Sequence, residues 1–246
     1  MHTFYVSPSQ IQTDIGTITC SEHHHLCNVL RITPGETIRI IDGQGNVYTA
    51  DVLDTDIDQS LSEARILTHE FHPKGPCSLT LFQGLPKNDK MELILQKTTE
   101  LGITQVVPMY SAYALQKPSQ NRYERWHRVI VSATKQCKRA WLPELCNPQT
   151  FDMSLTQLKS FSLRLLFISP NHSGKPQTRH IKTVLREVST PATIALFVGP
   201  EGGFSDQEIA ALVDSGCVPV TLGTNVLRTE TAAIIAVAVA AYEYQL

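Results

Sequence analysis

Three loops rich in glycine or proline follow short apolar segments in the C-terminal half of the sequence. They span residues 170–172, 199–203 and 222–225. Glycine lets backbone amide and carbonyl groups approach a ligand closely, although the same residues also make ordinary tight turns. Ligands of open parallel sheets bind beyond the carboxyl ends of the strands. The spacing therefore predicts a pocket where these three loops meet.

Two charged residues lie within or beside the loops. Arg228 follows an apolar segment, and a guanidinium at such a position needs an anionic or carbonyl partner, so we predict a site role for it. Glu201 is either a site residue or a solvated turn residue, because loop carboxylates usually face water. The segment 199–203 is neither a P-loop nor a Gly-x-Gly-x-x-Gly motif. A nucleoside triphosphatase and an ordinary dinucleotide-binding fold are thus poorly supported.

Histidine and cysteine form no metal-binding pattern. The six cysteines are scattered without a Cys-x-x-Cys pair, which suits neither a zinc ribbon nor a disulfide framework. His23, His24 and His25 are consecutive, and consecutive helical residues point in different directions. We expect no metal, with the cysteines acting mostly as small buried hydrophobes.

The segments that carry the three loops alternate between strand and helix patterns. Continuous apolar runs predict strands that are buried on both faces, and alternating elements of this kind predict an α/β domain with a mostly parallel sheet. The predicted strands are residues 78–85, 105–110, 163–169, 193–199 and 218–222.

Helix ends are indicated by capping residues between these strands. Two pairs have the spacing of a capping box, and a glycine ends the first helix. A long helix is predicted over residues 121–138, and the alanine-rich segment 232–242 predicts a buried final helix. The predicted end residues are Asp89 with Glu92, Gly102, Ser205 with Glu208, and Thr229 or Thr231.

Residues 1–72 show a β-rich pattern that predicts a small barrel with one or two helices. Strands are indicated at residues 37–41, 46–53 and 63–70, with a turn at Asp42-Gly43 and a helix at 23–30. Pro73-Lys74-Gly75-Pro76 then breaks the pattern. The predicted domains are residues 1–72 and 73–246.

Charge is distributed unevenly along the chain. Residues 1–72 hold three basic and ten acidic residues, a net charge of −7, whereas the remainder carries +5. This asymmetry suggests that the second part faces a polyanion. The basic residues of the predicted helix 121–138, and Arg139 directly after it, either bind RNA phosphates or form a solvated face. They are Arg122, Arg125, Arg128, Lys135, Lys138 and Arg139, with the single acid Glu124.

Composition narrows the class of protein. The chain is 42% hydrophobic and 18% charged, which is typical of a folded rather than a disordered chain. No apolar run is long enough to span a bilayer, and the N-terminus lacks the pattern of a secretory signal. We expect a cytoplasmic protein without a membrane segment.

Two long segments carry a family resemblance. LFVGPEGGFS at residues 196–205 and LGTNVLRTETA at residues 222–232 resemble the paired signature of the uridine-N3 methyltransferases of 16S ribosomal RNA. Residues 90–102 and 135–139 are similar to further segments of that family, as are residues 24–31 and Asp42-Gly43 with Tyr48 near the N-terminus. The resemblance spans nearly the whole chain.

The resemblance implies a fold, a cofactor and partners. The fold would be a trefoil-knotted SPOUT domain with a mostly parallel sheet, preceded by a PUA-like barrel. The cofactor would be S-adenosylmethionine, and the enzyme would be a homodimer. The substrate would be a uridine of 16S ribosomal RNA, within the small ribosomal subunit.

The resemblance also implies residue roles. Removal of the N3 proton spreads negative charge onto the uracil oxygens, which a cation can stabilise, with Arg228 as first and Arg139 as second candidate. The general base stays unassigned, since Glu230 at a helix start also fits an N-terminal charge. RNA-binding residues would be Arg31, Lys135, Lys138 and Arg139. The implied cofactor-binding residues are Ile168, Ser169, Gly199, Pro200, Glu201, Gly202, Leu222, Gly223, Leu227 and Arg228.

Three other functions stay open at this point. The chain could be a non-catalytic RNA-binding protein, an α/β enzyme acting on a free nucleotide, or a SPOUT methyltransferase acting on another RNA such as tRNA. How a domain with a charge of −7 would contact RNA is not decided by the sequence.

Overall fold

The computed structural model describes residues 1–56, 60–114, 118–172, 176–189 and 191–244. The chain packs as two compact units. The first comprises Met1–Lys74 and Val131–Leu142, and the second comprises Gly75–Ile130 and Pro143–Leu246. Across the described ranges, no helix is long and apolar enough to cross a membrane.

The first unit is built on a mainly antiparallel sheet with the order β1-β4-β5-β6-β3-β2, in which only the β1–β4 pair is parallel. A short helix, α1 (Cys20–His24), continues into a π-helical turn at His25–Val29. The predicted small β-rich unit is thus confirmed. The helix predicted at residues 23–30 is instead formed by α1 and the π-helical turn. The strands are β1 (Thr3–Tyr5), β2 (Ile11–Gln12), β3 (Ile15–Thr19), β4 (Thr37–Ile41), β5 (Asn46–Asp56) and β6 (Leu61–Phe71).

Alternating apolar residues of these strands form the core of the first unit. Phe4, Ile18, Ile38 and Ile40 are at most 1% exposed, and Leu26 of the π-helical turn packs among them. His23, the first of the three histidines, is buried, and its Nδ1 lies 2.8 Å from the Ser62 hydroxyl. This contact gives His23 a structural role.

The turn between β4 and β5 is shaped by the Asp42 carboxylate. Its Oδ1 accepts hydrogen bonds from the backbone amides of Gln44 (2.7 Å) and Asn46 (3.1 Å). Gly43 adopts a φ of +74°, which a residue without Cβ adopts without strain. Residues 140–142 dock on this turn, because the Gly45 amide donates to the Ala140 carbonyl (3.1 Å).

The second unit contains a sheet in which every pair is parallel, with the order β10-β8-β7-β13-β11-β14-β12 and β9 also on β8. The predicted α/β fold with a mostly parallel sheet is confirmed. Its strands are β7 (Ser78–Gly84), β8 (Gln105–Tyr110), β9 (Glu144–Leu145), β10 (Gln149–Thr150), β11 (Leu163–Phe167), β12 (Arg179–His180), β13 (Thr193–Val198) and β14 (Val218–Thr221).

Helices connect these strands and cover the sheet. The central strands β7 and β13 are almost wholly buried, and Phe82 stacks on Phe197 with ring centroids 4.4 Å apart. The division between the two units falls inside the third helix, after Ile130. The helices are α2 (Lys90–Glu100), α3 (Gln120–Gln136), α4 (Phe151–Thr156), α5 (Ile181–Glu187), α6 (Asp206–Asp214) and α7 (Thr229–Glu243).

Some predicted helix ends are confirmed, whereas one predicted capping box and one predicted cap residue are wrong. Ser205 and Glu208 form the capping box of α6. Asp89 is the N-cap residue of α2, as predicted, but its side chain makes no capping hydrogen bond. The predicted capping box is therefore wrong, and Glu92 instead pairs with Arg125 at 2.9 Å. Neither threonine caps α7, since its N-cap is Arg228.

Candidate functional site

A cavity of about 360 Å³ lies at the carboxyl ends of three neighbouring strands, β13, β11 and β14. The loops that follow these strands meet there, as the spacing of glycine and proline predicts. Parallel strands present their carboxyl ends at one edge, so the loops converge. The lining residues are Lys90, Phe167, Ile168, Ser169, Pro170, Val198, Gly199, Pro200, Glu201, Gly203, Thr221, Leu222, Asn225, Val226, Leu227, Arg228, Thr229 and Ala232.

One wall of the cavity is the loop of residues 199–203, here called the Gly199 loop. It packs directly on the end of β7. A Cβ at Gly84 would lie 2.5 Å from the Pro200 Cδ and 2.7 Å from its backbone nitrogen. A Cβ at Gly199 would lie 2.8 Å from the Gly203 carbonyl carbon. Both positions therefore require glycine, because the backbone approaches too closely for a side chain.

A buried amide holds the start of the Gly199 loop. The Nε2 of Gln83 donates to the Gly84 carbonyl (2.8 Å) and to the Thr229 hydroxyl (3.0 Å). That hydroxyl in turn donates to the Gly199 carbonyl at 2.6 Å. Gln83 is fully buried, so these bonds lack competition from water. They join β7, the Gly199 loop and the start of α7, and they explain why Thr229 does not cap its own helix.

Glu201 fastens the other side of the same loop. Both its carboxylate oxygens accept from the Lys87 amide at 3.2 Å, and Oε1 lies 2.8 Å from the Lys90 Nζ. Partial burial raises the pKa of Glu201, but the hydrogen bonds from Lys90 and from backbone amides, together with the Lys90 charge, outweigh burial, and the pKa is lowered. Lys90 also lies 3.5 Å from Glu230, and its own pKa is raised by its bond to Glu201. The Glu201 charge is thus directed at the start of α2.

The opposite wall is the loop of residues 222–228, here called the Leu222 loop. The Thr221 hydroxyl donates to the Gly223 carbonyl (2.8 Å), and Gly223 has a φ of +135°. Val226 is 59% exposed, and Arg228 is exposed as well. In the described part of the chain the Arg228 guanidinium has no hydrogen-bond or ion-pair partner, so it is free to meet a ligand.

The third wall follows β11. Ile168 is buried, whereas Ser169 is exposed beside it. Farther along, the His172 Nε2 lies 3.0 Å from the Asp206 Oδ1 at the first turn of α6. Ile168 lines the cavity together with other apolar residues, among them Leu222 and Leu227.

Eight of the ten residues predicted to hold a cofactor line this cavity, and Gly202 and Gly223 do not. Gly202 faces Tyr113, whose Cβ would lie 3.0 Å from a Cβ at that position. Sequence reasoning missed the roles of Gln83, Gly84 and Lys90. A glycine in a buried strand signals close backbone approach and could have indicated Gly84. Nothing in the sequence indicated the partners of Gln83.

The residues predicted to bind RNA lie in the first unit. Arg31 and Lys138 are exposed, with φ values of +57° and +60°. Lys135 instead forms an ion pair with Glu22 at 2.6 Å. Arg139 is partly exposed, and burial lowers the pKa of its guanidinium. Arg139 is not among the residues that line the cavity.

The three arginines in the first half of α3 differ in their contacts. Arg125 forms an ion pair with Glu92, and the Arg122 guanidinium carbon lies 5.8 Å from the Trp126 ring centroid. Arg128 is exposed. Among the residues described, no group of three or more His, Cys, Asp or Glu side chains could hold a metal ion, and the six cysteines are free thiols.

Family models match both parts of the chain. The RNA methyltransferase domain matches residues 73–241, and the RNA methyltransferase PUA domain matches residues 19–59. The first match covers well over half of the chain. The protein is therefore similar in sequence to RNA methyltransferases along most of its length.

Named relatives agree with these family matches. A ribosomal RNA small subunit methyltransferase E of Synechocystis is 34% identical, over 95% of this chain and 75% of the relative. The protein of the same name from Bacillus subtilis is 26% identical, over 94% and 91%.

The fold is shared with solved structures. The methyltransferase E of Neisseria gonorrhoeae, solved bound to S-adenosylmethionine, is 29% identical with a TM-score of 0.84, covering 98% of this chain and 97% of the other. A probable rRNA-methyltransferase of Porphyromonas gingivalis, 24% identical with a TM-score of 0.87 over 100% and 99%, shares the fold. The chain therefore belongs to the ribosomal RNA small subunit methyltransferase E family.

Proposed function

We propose that this protein methylates N3 of a uridine in 16S ribosomal RNA, within the small ribosomal subunit and in the cytoplasm. Its cofactor is S-adenosylmethionine, which the Neisseria relative binds. The observation that carries the proposal is the cavity at the strand ends, where the two signature segments meet as opposite walls. The predicted N-terminal domain, residues 1–72, would bind RNA, and residues 73–246 would carry the chemistry.

The cavity suits this cofactor in size and lining. A volume of about 360 Å³ lies in the range of small-molecule sites. Glycine in the Gly199 loop leaves backbone groups accessible to a polar ligand edge. Ile168, Leu222 and Leu227 supply apolar surface for an adenine ring. When bound, the cofactor supplies the activated methyl group.

Arg228 is the proposed catalytic residue. Loss of the N3 proton leaves negative charge on the uracil oxygens, and a preorganised cation lowers the energy of that state. The Arg228 guanidinium is exposed at the cavity. Arg139 stays the second candidate by resemblance. Glu230 is buried and paired with Lys90, and it is absent from the lining, which favours a structural role over that of general base.

The homodimer and the trefoil knot belong to the same proposal. Two exposed side chains support the dimer: Tyr242 in the last turn of α7 is 85% exposed, and Leu93 of α2 is 42% exposed. Aromatic and apolar residues of this kind are enriched in interfaces. Sedimentation of the purified protein tests the dimer, and the mass of a single chain would contradict it.

Arg31, Lys138 and Arg139 are the proposed RNA contacts of the first unit. Lys135 supports this role less well, because its ammonium is neutralised by Glu22. Weaker binding at higher salt would support phosphate contacts.

Titration calorimetry with S-adenosylmethionine and mass spectrometry of nucleosides test the function together. We expect one saturable site, and N3-methyluridine after incubation with small subunits that lack the modification. Arg228→Ala should lower kcat by about 100-fold or more, because a charge-stabilising group is lost. Its unfolding free energy should change by less than about 0.5 kcal/mol.

The matched control is Arg186→Ala, which removes an exposed arginine of α5. It should leave kcat unchanged. Failure of the wild type to bind the cofactor while it binds RNA would favour a non-catalytic RNA-binding protein. Methylation of tRNA instead of 16S RNA would favour another SPOUT activity.

A further inference from the structure

An exposed aromatic ring with a neighbouring ammonium group lies at the end of β6 in the first unit. The Phe71 side chain is 60% exposed, and its ring centroid lies 6.2 Å from that of Trp141, edge to face. The Lys74 Nζ lies 4.6 Å from the Trp141 ring centroid. These three residues, Phe71, Lys74 and Trp141, are here called the aromatic patch.

The indole of Trp141 is held in place. Its Nε1 donates to the His72 carbonyl at 2.8 Å. Close packing fixes one side of the ring, since a Cβ at Gly45 would lie 2.6 Å from the Trp141 Cζ2. Buried Ile41, Val47 and Ala140 support it from beneath. A ring fixed in this way loses little conformational entropy on binding a ligand.

The segment that supplies Trp141 also changes the charge of the first unit. Residues 131–142 contribute Lys135, Lys138 and Arg139 and no acidic residue. With Lys74, they change the net charge from −7 for residues 1–72 to −3 for the whole unit. Lys138 is exposed, and its carbonyl accepts from the Arg39 guanidinium at 3.1 Å. The acidic neighbour of the patch is Glu70, 3.8 Å from His72.

We propose that the aromatic patch binds an unpaired nucleotide of single-stranded RNA. The base would stack on Phe71, and the adjoining phosphate would lie near Lys74 and the basic segment that ends at Trp141. Proteins bind single-stranded RNA by such aromatic rings beside cations, because every base has a π-face and every linkage a charge. The inference rests on the proposed function, and it places the RNA contact of an acidic unit beside the basic segment 131–142.

Fluorescence titration with a short single-stranded oligoribonucleotide tests the patch. The full-length Trp126→Phe variant serves as background, because Trp141 is then the remaining tryptophan and the Trp126 it loses is buried. We expect the RNA to quench Trp141 fluorescence. Phe71→Ala should weaken binding roughly tenfold, as for removal of one stacking partner. Lys74→Gln should weaken it less and reduce its dependence on salt.

Leu67→Ala is the matched control, because Leu67 is 51% exposed on the same strand. It should bind RNA like the background protein. Equal affinity of Phe71→Ala and the control would overturn the inference. Loss of binding to whole small subunits with unchanged binding to naked RNA would also overturn it, in favour of a protein occupant.

Calorimetry with S-adenosylmethionine separates this test from that of the proposed function. Phe71→Ala should bind the cofactor with unchanged affinity, because Phe71 lies outside the cavity lining. A wild type that fails to bind the cofactor would contradict the function, whereas equal RNA affinities would contradict the patch alone.

Discussion

The two signature walls of the cavity are built differently. The Gly199 loop is held on both sides: the buried Gln83 and Thr229 bind its first carbonyl, and Lys87 and Lys90 bind Glu201 at its more exposed side. Among the described residues, the Leu222 loop is held by two hydrogen bonds between the Thr221 hydroxyl and the Gly223 backbone, and its Asn225, Val226 and Arg228 are exposed.

This difference separates positioning from recognition. A wall fixed by buried hydrogen bonds presents the same backbone groups before and after a ligand binds, which lowers the entropic cost of binding. A wall of exposed side chains gains its contacts only when a ligand arrives. Substitutions in the Gly199 loop and its supports should therefore reduce stability and binding together, whereas those in the Leu222 loop should reduce binding alone.

The largest effect is expected from Gly84→Ala. The new Cβ would overlap Pro200, so the Gly199 loop must shift. We expect loss of about 2–3 kcal/mol in unfolding free energy and a fall of at least about 100-fold in cofactor affinity. Chemical denaturation and calorimetry measure the two quantities.

Gly16→Ala is its control on a strand of the first unit. There a Cβ would meet only the Ile40 Cδ1 at 3.1 Å, the end of a flexible side chain, and a carbonyl at 3.9 Å. It should leave cofactor affinity unchanged. Normal cofactor binding by Gly84→Ala would show that the first wall is not rigid.

An intermediate effect is expected from Leu227→Ala in the second wall. Loss of apolar contact should weaken cofactor binding about five- to tenfold. Because Leu227 is only partly buried, the unfolding free energy of the free protein should fall by less than about 1 kcal/mol. Met153→Ala, which removes a 54% exposed side chain of α4, should change neither quantity. A large loss of stability in Leu227→Ala would remove the contrast between the walls.

The smallest effect is expected from Glu201→Gln, and it should depend on pH. The pKa of Glu201 is lowered in the folded protein, so its contribution is present above the unfolded value near about 4.3 and is lost as the pH falls through the folded pKa. The pKa of Lys90 is raised, so its contribution is lost only as the pH rises through that higher value.

The stability difference between wild type and Glu201→Gln should therefore be constant from about pH 6 to pH 9. It should stay below about 1 kcal/mol, because the pair is partly exposed to solvent, and it should shrink under acid. Denaturation at several pH values measures this. A difference that persists unchanged at pH 3 would mean that Glu201 acts by packing rather than by charge.

The sequence by itself determined the class of fold and the place of the cavity. Apolar runs such as residues 193–198 form buried parallel strands because helices cover both faces of a parallel sheet, and the glycine-rich loops after them meet at one edge. It also indicated most of the lining, since residues 199–201 and 222–228 lie in sequence order on the loops themselves.

Only the tertiary structure decided what supports these loops and what completes the first unit. Gln83 and Gly84 are defined by partners more than 100 residues away, and Trp141 joins a unit whose other part ends at Lys74. Glu92 and Thr229 have the spacing of local caps. In the folded chain, however, Glu92 forms an ion pair with Arg125, and the Thr229 hydroxyl donates to the Gly199 carbonyl. A local sequence pattern predicts hydrogen bonds between residues that are close in the chain. A buried polar group, in contrast, must form its hydrogen bond with a group that the tertiary structure places next to it.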